Sequence, residues 1–145
     1  MFSLCYVIVW SQNLYSQSVF TSNLSGGIGD WNEPSNWTEN NQGNLGDSDG
    51  IPDNDDHVII STNDIITLNP SGITFIVDLT VFGTLDIALN IRTLEVTGNL
   101  VMSGTSTLSG NSNDRIINVT GTFNVISGAT ASIGGIQIML WEQQL

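Results

Sequence analysis

The chain has 145 residues, long enough for one core and too short for much of a second. Fourteen acidic side chains against two arginines and no lysine give a formal net charge of −12, which argues against nucleic acid and anionic membranes as partners and makes a metal cation the natural counter-charge. Glycine, serine, threonine and asparagine are abundant while alanine and lysine are scarce or missing, so the composition reads all-β.

Residues 1–18 carry no charged side chain. An apolar run from Leu4 to Trp10 precedes Ser16-Gln17-Ser18, the small-x-small arrangement of a signal-peptidase site. We read this segment as an export signal cleaved after Ser18, although it lacks a positive n-region. The protein is therefore expected to be secreted or held at the outer cell surface. The run is shorter than the roughly 20 residues a bilayer span needs, so no transmembrane segment is expected. Cys5, the single cysteine, falls inside it, which leaves the mature chain without a disulfide.

Residues 19–56 read as an N-terminal cap with an acidic loop. A solenoid exposes strand edges and core at its ends, and Trp31 and Trp37 are large enough to cover one. Exposed tryptophans also stack on sugar rings, so both are candidate glycan contacts. The acidic stretch 47–56 places Asp47, Asp49, Asp53, Asp55 and Asp56 within ten residues. Calcium takes six to eight oxygen ligands, and carboxylates along a glycine-bent loop can supply them. The spacing is not that of an EF-hand. It is closer to D-x-D-G-x-x-D-x-x-D, a thrombospondin type 3 calcium pattern, in a single copy. With no lysine nearby the cluster has no local counter-cation, and calcium is the expected cofactor. The competing reading is a solvated acidic turn.

Residues 57–138 are expected to form the coils. His57–Leu68 holds two short β-rich runs about the turn Ser61-Thr62-Asn63-Asp64, and Ile73–Val77 follows the turn 69–72. A nine-residue unit, apolar-x-Val-x-Gly-x-apolar-x-apolar, then occurs as 79–87, 94–102 and 117–125. Apolar residues alternate on both sides of Gly83, Gly98 and Gly121, which places each glycine at a corner where a side chain would crowd the bend. Stretches 103–110 and 126–135 follow the last two copies. Repeats of this length with strands too short to stand alone mark a solenoid. The predicted fold is a short right-handed parallel β-helix of about 3–4 coils with an N-terminal cap. An antiparallel β-sandwich is the alternative. Residues 139–145 close the chain as an apolar C-terminal cap or as the end of a piece of a longer protein.

Three blocks of residues resemble a known kind of module. They are Trp31-Asn32-Glu33-Pro34-Ser35-Asn36-Trp37, the stretch Gly50–Ile60, and the Leu-x-Val-x-Gly-x-Leu units. Over roughly residues 27–135 the chain resembles exported β-helix modules of the Bacteroidetes and, more loosely, the eight-glycine domain of hyaluronan-active surface proteins. The resemblance implies a surface module, commonly joined to a type IX sorting domain, and says little about activity.

Candidate chemistry is sparse. A lone His57 excludes a histidine-rich zinc site, and no Ser-His-Asp or Cys-His arrangement exists. Asp78, Asp86, Glu95 and Asp114, with Arg92 and Arg115, are the only candidates for lyase or hydrolase chemistry. Aligning the units gives outward rows Thr80/Glu95/Asn118, Phe82/Thr97/Thr120 and Thr84/Asn99/Thr122, a threonine-rich pattern that also suggests an ice-binding face. The primary expectation is a non-enzymatic secreted or cell-surface module, structural or adhesive, contacting extracellular polysaccharide or another surface protein and stabilised by calcium. A fragment of a β-helix polysaccharide lyase or hydrolase is the alternative.

Overall fold

The computed structural model of the chain describes residues 17–41, 49–69, 72–87, 92–110 and 115–141. The chain opens with β1 (Ser18–Ser22), β2 (Ile28–Asp30), a 3-10 turn at Pro34–Asn36 and β3 (Trp37–Asn41). Three-strand circuits follow. They are β4 (His57–Ile60), β5 (Ile65–Leu68) and β6 (Gly72–Ile76), then β7 (Asp78–Val81), β8 (Thr84–Ile87) and β9 (Arg92–Val96). Next come β10 (Leu100–Met102), β11 (Thr105–Gly110) and β12 (Arg115–Val119), then β13 (Phe123–Val125), β14 (Thr130–Gly134) and β15 (Gln137–Leu140).

These strands stack into three sheets ordered β13-β10-β7-β4-β1-β3, β14-β11-β8-β5-β2 and β15-β12-β9-β6. Each sheet takes one strand from every circuit and pairs it in parallel with the next, as in β4 on β7 and β7 on β10. That arrangement is a β-solenoid with parallel sheets, and it displaces the antiparallel sandwich.

The core follows from the two-residue period of the strands. In β4, β5, β7 and β8 every second side chain is buried, and the parallel register sets like on like. Phe20, Val58, Leu79, Leu100 and Phe123 form one inward column. Ile66, Leu85 and Leu108 form another. The inner members of both are fully buried, each contributing about 1.5–3 kcal/mol relative to exposure.

The register corrects how the nine-residue units relate to one another. Units 94–102 and 117–125 cross the same corner, from the third sheet into the first, whereas 79–87 crosses from the first sheet into the second. The unit is therefore a way of turning a corner, used at two of them. The outward rows drawn by aligning all three copies form only between the last two, as Glu95 on Asn118 and Asn99 on Thr122, while Thr80 stands between Ile59 and Val101. The threonines of 79–87 therefore do not continue the rows of the other two copies.

Parallel pairing also begins earlier than residue 57. β1 lies parallel to β4 and β2 parallel to β5, so residues 18–30 are already solenoid, and β3 closes the edge antiparallel to β1. Ser18, the last residue of the expected export signal, is the first of β1; residues 1–16 lie outside the described part. At the other end Gln137–Leu140 pairs parallel with β12 as the last strand of the last circuit, so it does not fold over as a cap.

A buried carboxylate joins the opening coil to the next. Asp64, 2% exposed, accepts hydrogen bonds from Ser22 Oγ at 2.6 Å, Gly26 N at 2.7 Å and Leu24 N at 3.1 Å. Neighbouring Asn63 and Gly26 both have positive φ, which brings the two turns face to face.

Candidate functional site

Trp31 and Trp37 are buried, at 1% and 7% exposure. Their rings meet edge to face with centroids 5.2 Å apart, and Phe20 packs on Trp37 in the same manner at 6.5 Å. Trp37 Nε1 donates to the Trp31 carbonyl at 2.8 Å, and Trp31 Nε1 to the Pro52 carbonyl at 3.2 Å. Both rings belong to the buried hydrophobic cap of the solenoid, and Trp31 also lines the cleft described below. The pair also ties the cap to the acidic loop through Pro52.

The loop divides the five carboxylates. Asp47 lies outside the described residues. Asp49 accepts from Ile51 N at 2.9 Å, a local turn contact. Asp53, Asp55 and Asp56 come together, each offering a carboxylate oxygen within 4.8 Å of the others. Asp56 is buried, accepts from Asp53 N at 2.8 Å, and its carbonyl receives Val77 N at 2.8 Å. This all-oxygen set suits a hard cation such as calcium, and three carboxylates are a partial shell that backbone carbonyls and water would complete.

Beside this triple a cleft of about 600 Å³ opens between the cap and β6. One wall is Trp31, Asn32, Ile51, Pro52, Asp53 and Asn54, the other Ile73, Thr74 and Phe75. Among the described residues the third sheet ends at β6 while the other two continue into β1 and β2, and the cleft lies beside that edge. Phe75 and Ile73 are outward residues of β6 and are 45% and 58% exposed. An apolar surface edged by two asparagines and a carboxylate can stack a flat ring and hydrogen-bond its substituents. Sequence reasoning passed over Phe75. Its signal was its place in Ile73-Thr74-Phe75-Ile76, where alternation turns a large aromatic outward.

The carboxylates proposed for catalysis are held apart and occupied. Asp78 accepts from the Asn99 amide at 2.5 Å and contacts His57 Nδ1 at 2.8 Å. His57 Nε2 lies 2.7 Å from Gln17 Oε1. Asp86 accepts from Ser109 Oγ at 2.7 Å, and Glu95 from Asn118 Nδ2 at 2.6 Å. Each bond joins one coil to a neighbouring one, and the three acids stand on three different sheets. Arg115 points inward and is 2% exposed, its stem packed at Gly110. Asp114 and the side chain of Arg92 lie outside the described part. None of these groups lines the cleft between the cap and β6.

Among the described residues no helix is long and apolar enough to cross a membrane. No protein-family model, no curated protein and no solved structure matches the chain.

Proposed function

We propose that this chain is a non-catalytic β-helix module of the cell exterior that holds an extracellular polysaccharide in the cleft between its N-terminal cap and β6. The observation that carries this reading is the cleft itself, with Phe75 exposed on one wall and Asn32, Asp53 and Asn54 on the other. The engagement of Asp78, Asp86 and Glu95 in ladders between coils supports a scaffold role for the coil acids. Export rests on the composition of residues 1–18.

Glycan-array screening followed by calorimetry tests the proposal. Phe75→Ala is expected to weaken binding of the best glycan at least tenfold, about 1.4 kcal/mol, with little change in thermal unfolding because the side chain is exposed. Equal binding by wild type and variant would remove the cleft from consideration, and sustained cleavage of the polysaccharide would replace the non-catalytic reading.

The same proposal has Asp53, Asp55 and Asp56 take a calcium ion. Saturating calcium then raises the melting temperature through mass action, and a chelator reverses the rise. Asp53→Asn with Asp55→Asn abolishes the difference. A melting curve indifferent to calcium in the wild type would end this part.

A further inference from the structure

We infer that the cleft between the cap and β6 selects an uncharged polysaccharide, built of pyranose rings with equatorial hydroxyls, and excludes uronate and sulfated chains. The inference rests on the reading of the cleft as a polysaccharide site and adds the class of sugar. The cleft is apolar on both sides, with Ile51 and Pro52 on one wall and Ile73 and Phe75 on the other. A pyranose whose hydroxyls are all equatorial carries C–H bonds on both faces and its polar groups around the rim, so it fits between two such walls. An axial hydroxyl would bring a polar group against one of them and lose its water there. Asn32, Asp53, Asn54 and Thr74 supply both donors and acceptors for the rim.

Charge excludes the anionic sugars. Asp53 lines the cleft, and Asp55 and Asp56 each bring a carboxylate oxygen within 4.8 Å of its own. A calcium ion held there offsets two of the three formal charges and leaves the set negative. On the same wall Asp30 Oδ1 accepts from Asn32 N at 3.3 Å and Asp49 Oδ1 from Ile51 N at 2.9 Å. Beyond the other wall Glu95 stands next to Phe75 in the third sheet. No cation among the described residues lines the cleft to balance these acids. The chain has no lysine, Arg115 is 2% exposed, and His57 Nδ1 lies 2.8 Å from Asp78. Arg92 pairs with Gly72 through its backbone, its side chain lying outside the described part. A sugar carboxylate or sulfate would enter against like charge, which is how an interface rejects a wrong partner.

Calorimetry of the full chain against hydroxyethyl cellulose and carboxymethyl cellulose, one backbone in a neutral and an anionic form, tests this at a fixed calcium concentration. The neutral polymer is expected to bind at least tenfold more tightly at low salt, with an affinity that ionic strength does not change. The deficit of the anionic polymer shrinks as the Debye length falls from about 30 Å at 0.01 M to about 3 Å at 1 M salt. Asp53→Asn narrows the gap between the two, and Phe75→Ala weakens the neutral polymer at least tenfold. Carboxymethyl cellulose bound as tightly or more tightly through Phe75 overturns the inference and leaves the cleft reading standing. So does a glycan array on which the only chains held through Phe75 carry axial hydroxyls. Binding that ignores Phe75→Ala, or no binding of any glycan, ends both.

Discussion

Alanine at Gly83 is expected to lower the unfolding free energy by about 2–3 kcal/mol, the cost of forcing atoms into a filled site, while alanine at Gly134 leaves it within about 0.5 kcal/mol. A Cβ on Gly83 would fall within 3.0 Å of the carbonyl oxygens of Ser61 and Asp64. Neither carbonyl is free to retreat, because Ser61 O accepts from Asp64 N at 3.1 Å and Asp64 O from Thr84 N at 2.8 Å. Gly98 and Gly121 meet the same obstacle at the other corner. Gly98 faces the Asp78 carboxylate and the Val77 carbonyl, and Gly121 faces the Gly98 carbonyl. Alanine at either is expected to cost a similar amount. Gly134 has nothing within 4 Å and no positive φ, so it controls for composition. Urea midpoints at constant slope measure the series. A Gly83→Ala variant as stable as Gly134→Ala would show that the corners can relax, and close packing would no longer explain the glycine at the centre of the repeated unit.

Asp64→Ala is expected to cost about 3 kcal/mol at neutral pH, since the buried Ser22 hydroxyl and the half-buried amides of Leu24 and Gly26 lose a charged acceptor. The effect is specific in pH. Burial pushes the Asp64 carboxyl up, but the Ser22 hydroxyl and the amides of Gly26 and Leu24 more than reverse this and hold it below the ordinary 3.8. A carboxylate depressed in the folded state contributes stability that is complete above its unfolded value and fades as pH falls through the folded one. The gap between wild type and Asp64→Ala should therefore be constant from pH 5 to 8 and close below about pH 3.8. A gap that persists unchanged at pH 2 would show that the charge on Asp64 does not carry the contact.

Much of this architecture was legible in the residues. The alternation of apolar side chains about Gly83, Gly98 and Gly121 pointed to corners, because a two-residue period that shifts at one glycine has few other solutions. His57–Leu68 and Ile73–Val77 read as the first coil for the same reason, and their strands are β4, β5 and β6. What misled was treating every copy of the unit as the same corner. Units 79–87 and 94–102 are similar because both must turn a chain between sheets, and no local property says which sheets those are. Only the register, Leu79 on Leu100 and Leu94 on Ile117, separates them.

The site was less legible. Trp31 and Trp37 are large, amphipathic and flanked by polar residues, a pattern that serves a glycan platform and a buried cap equally. Only the folded chain shows both rings packed with Phe20 in the cap and Trp31 also lining the cleft. Asp64 looked like one more turn residue until the Ser22–Gly26 loop was folded against it. Phe75 became a candidate only because, among the described residues, the third sheet ends at β6 while the other two run on into β1 and β2.

The sequence by itself determined the strand period, the corner glycines and the all-β composition, since these express rules that act within a few residues. Tertiary structure alone decided which coil stacks on which, which tryptophans are covered, and which three of the acidic residues come together. Those outcomes depend on residues about twenty positions apart being brought into register, and the free energy that sets a parallel register belongs to the whole stack of coils.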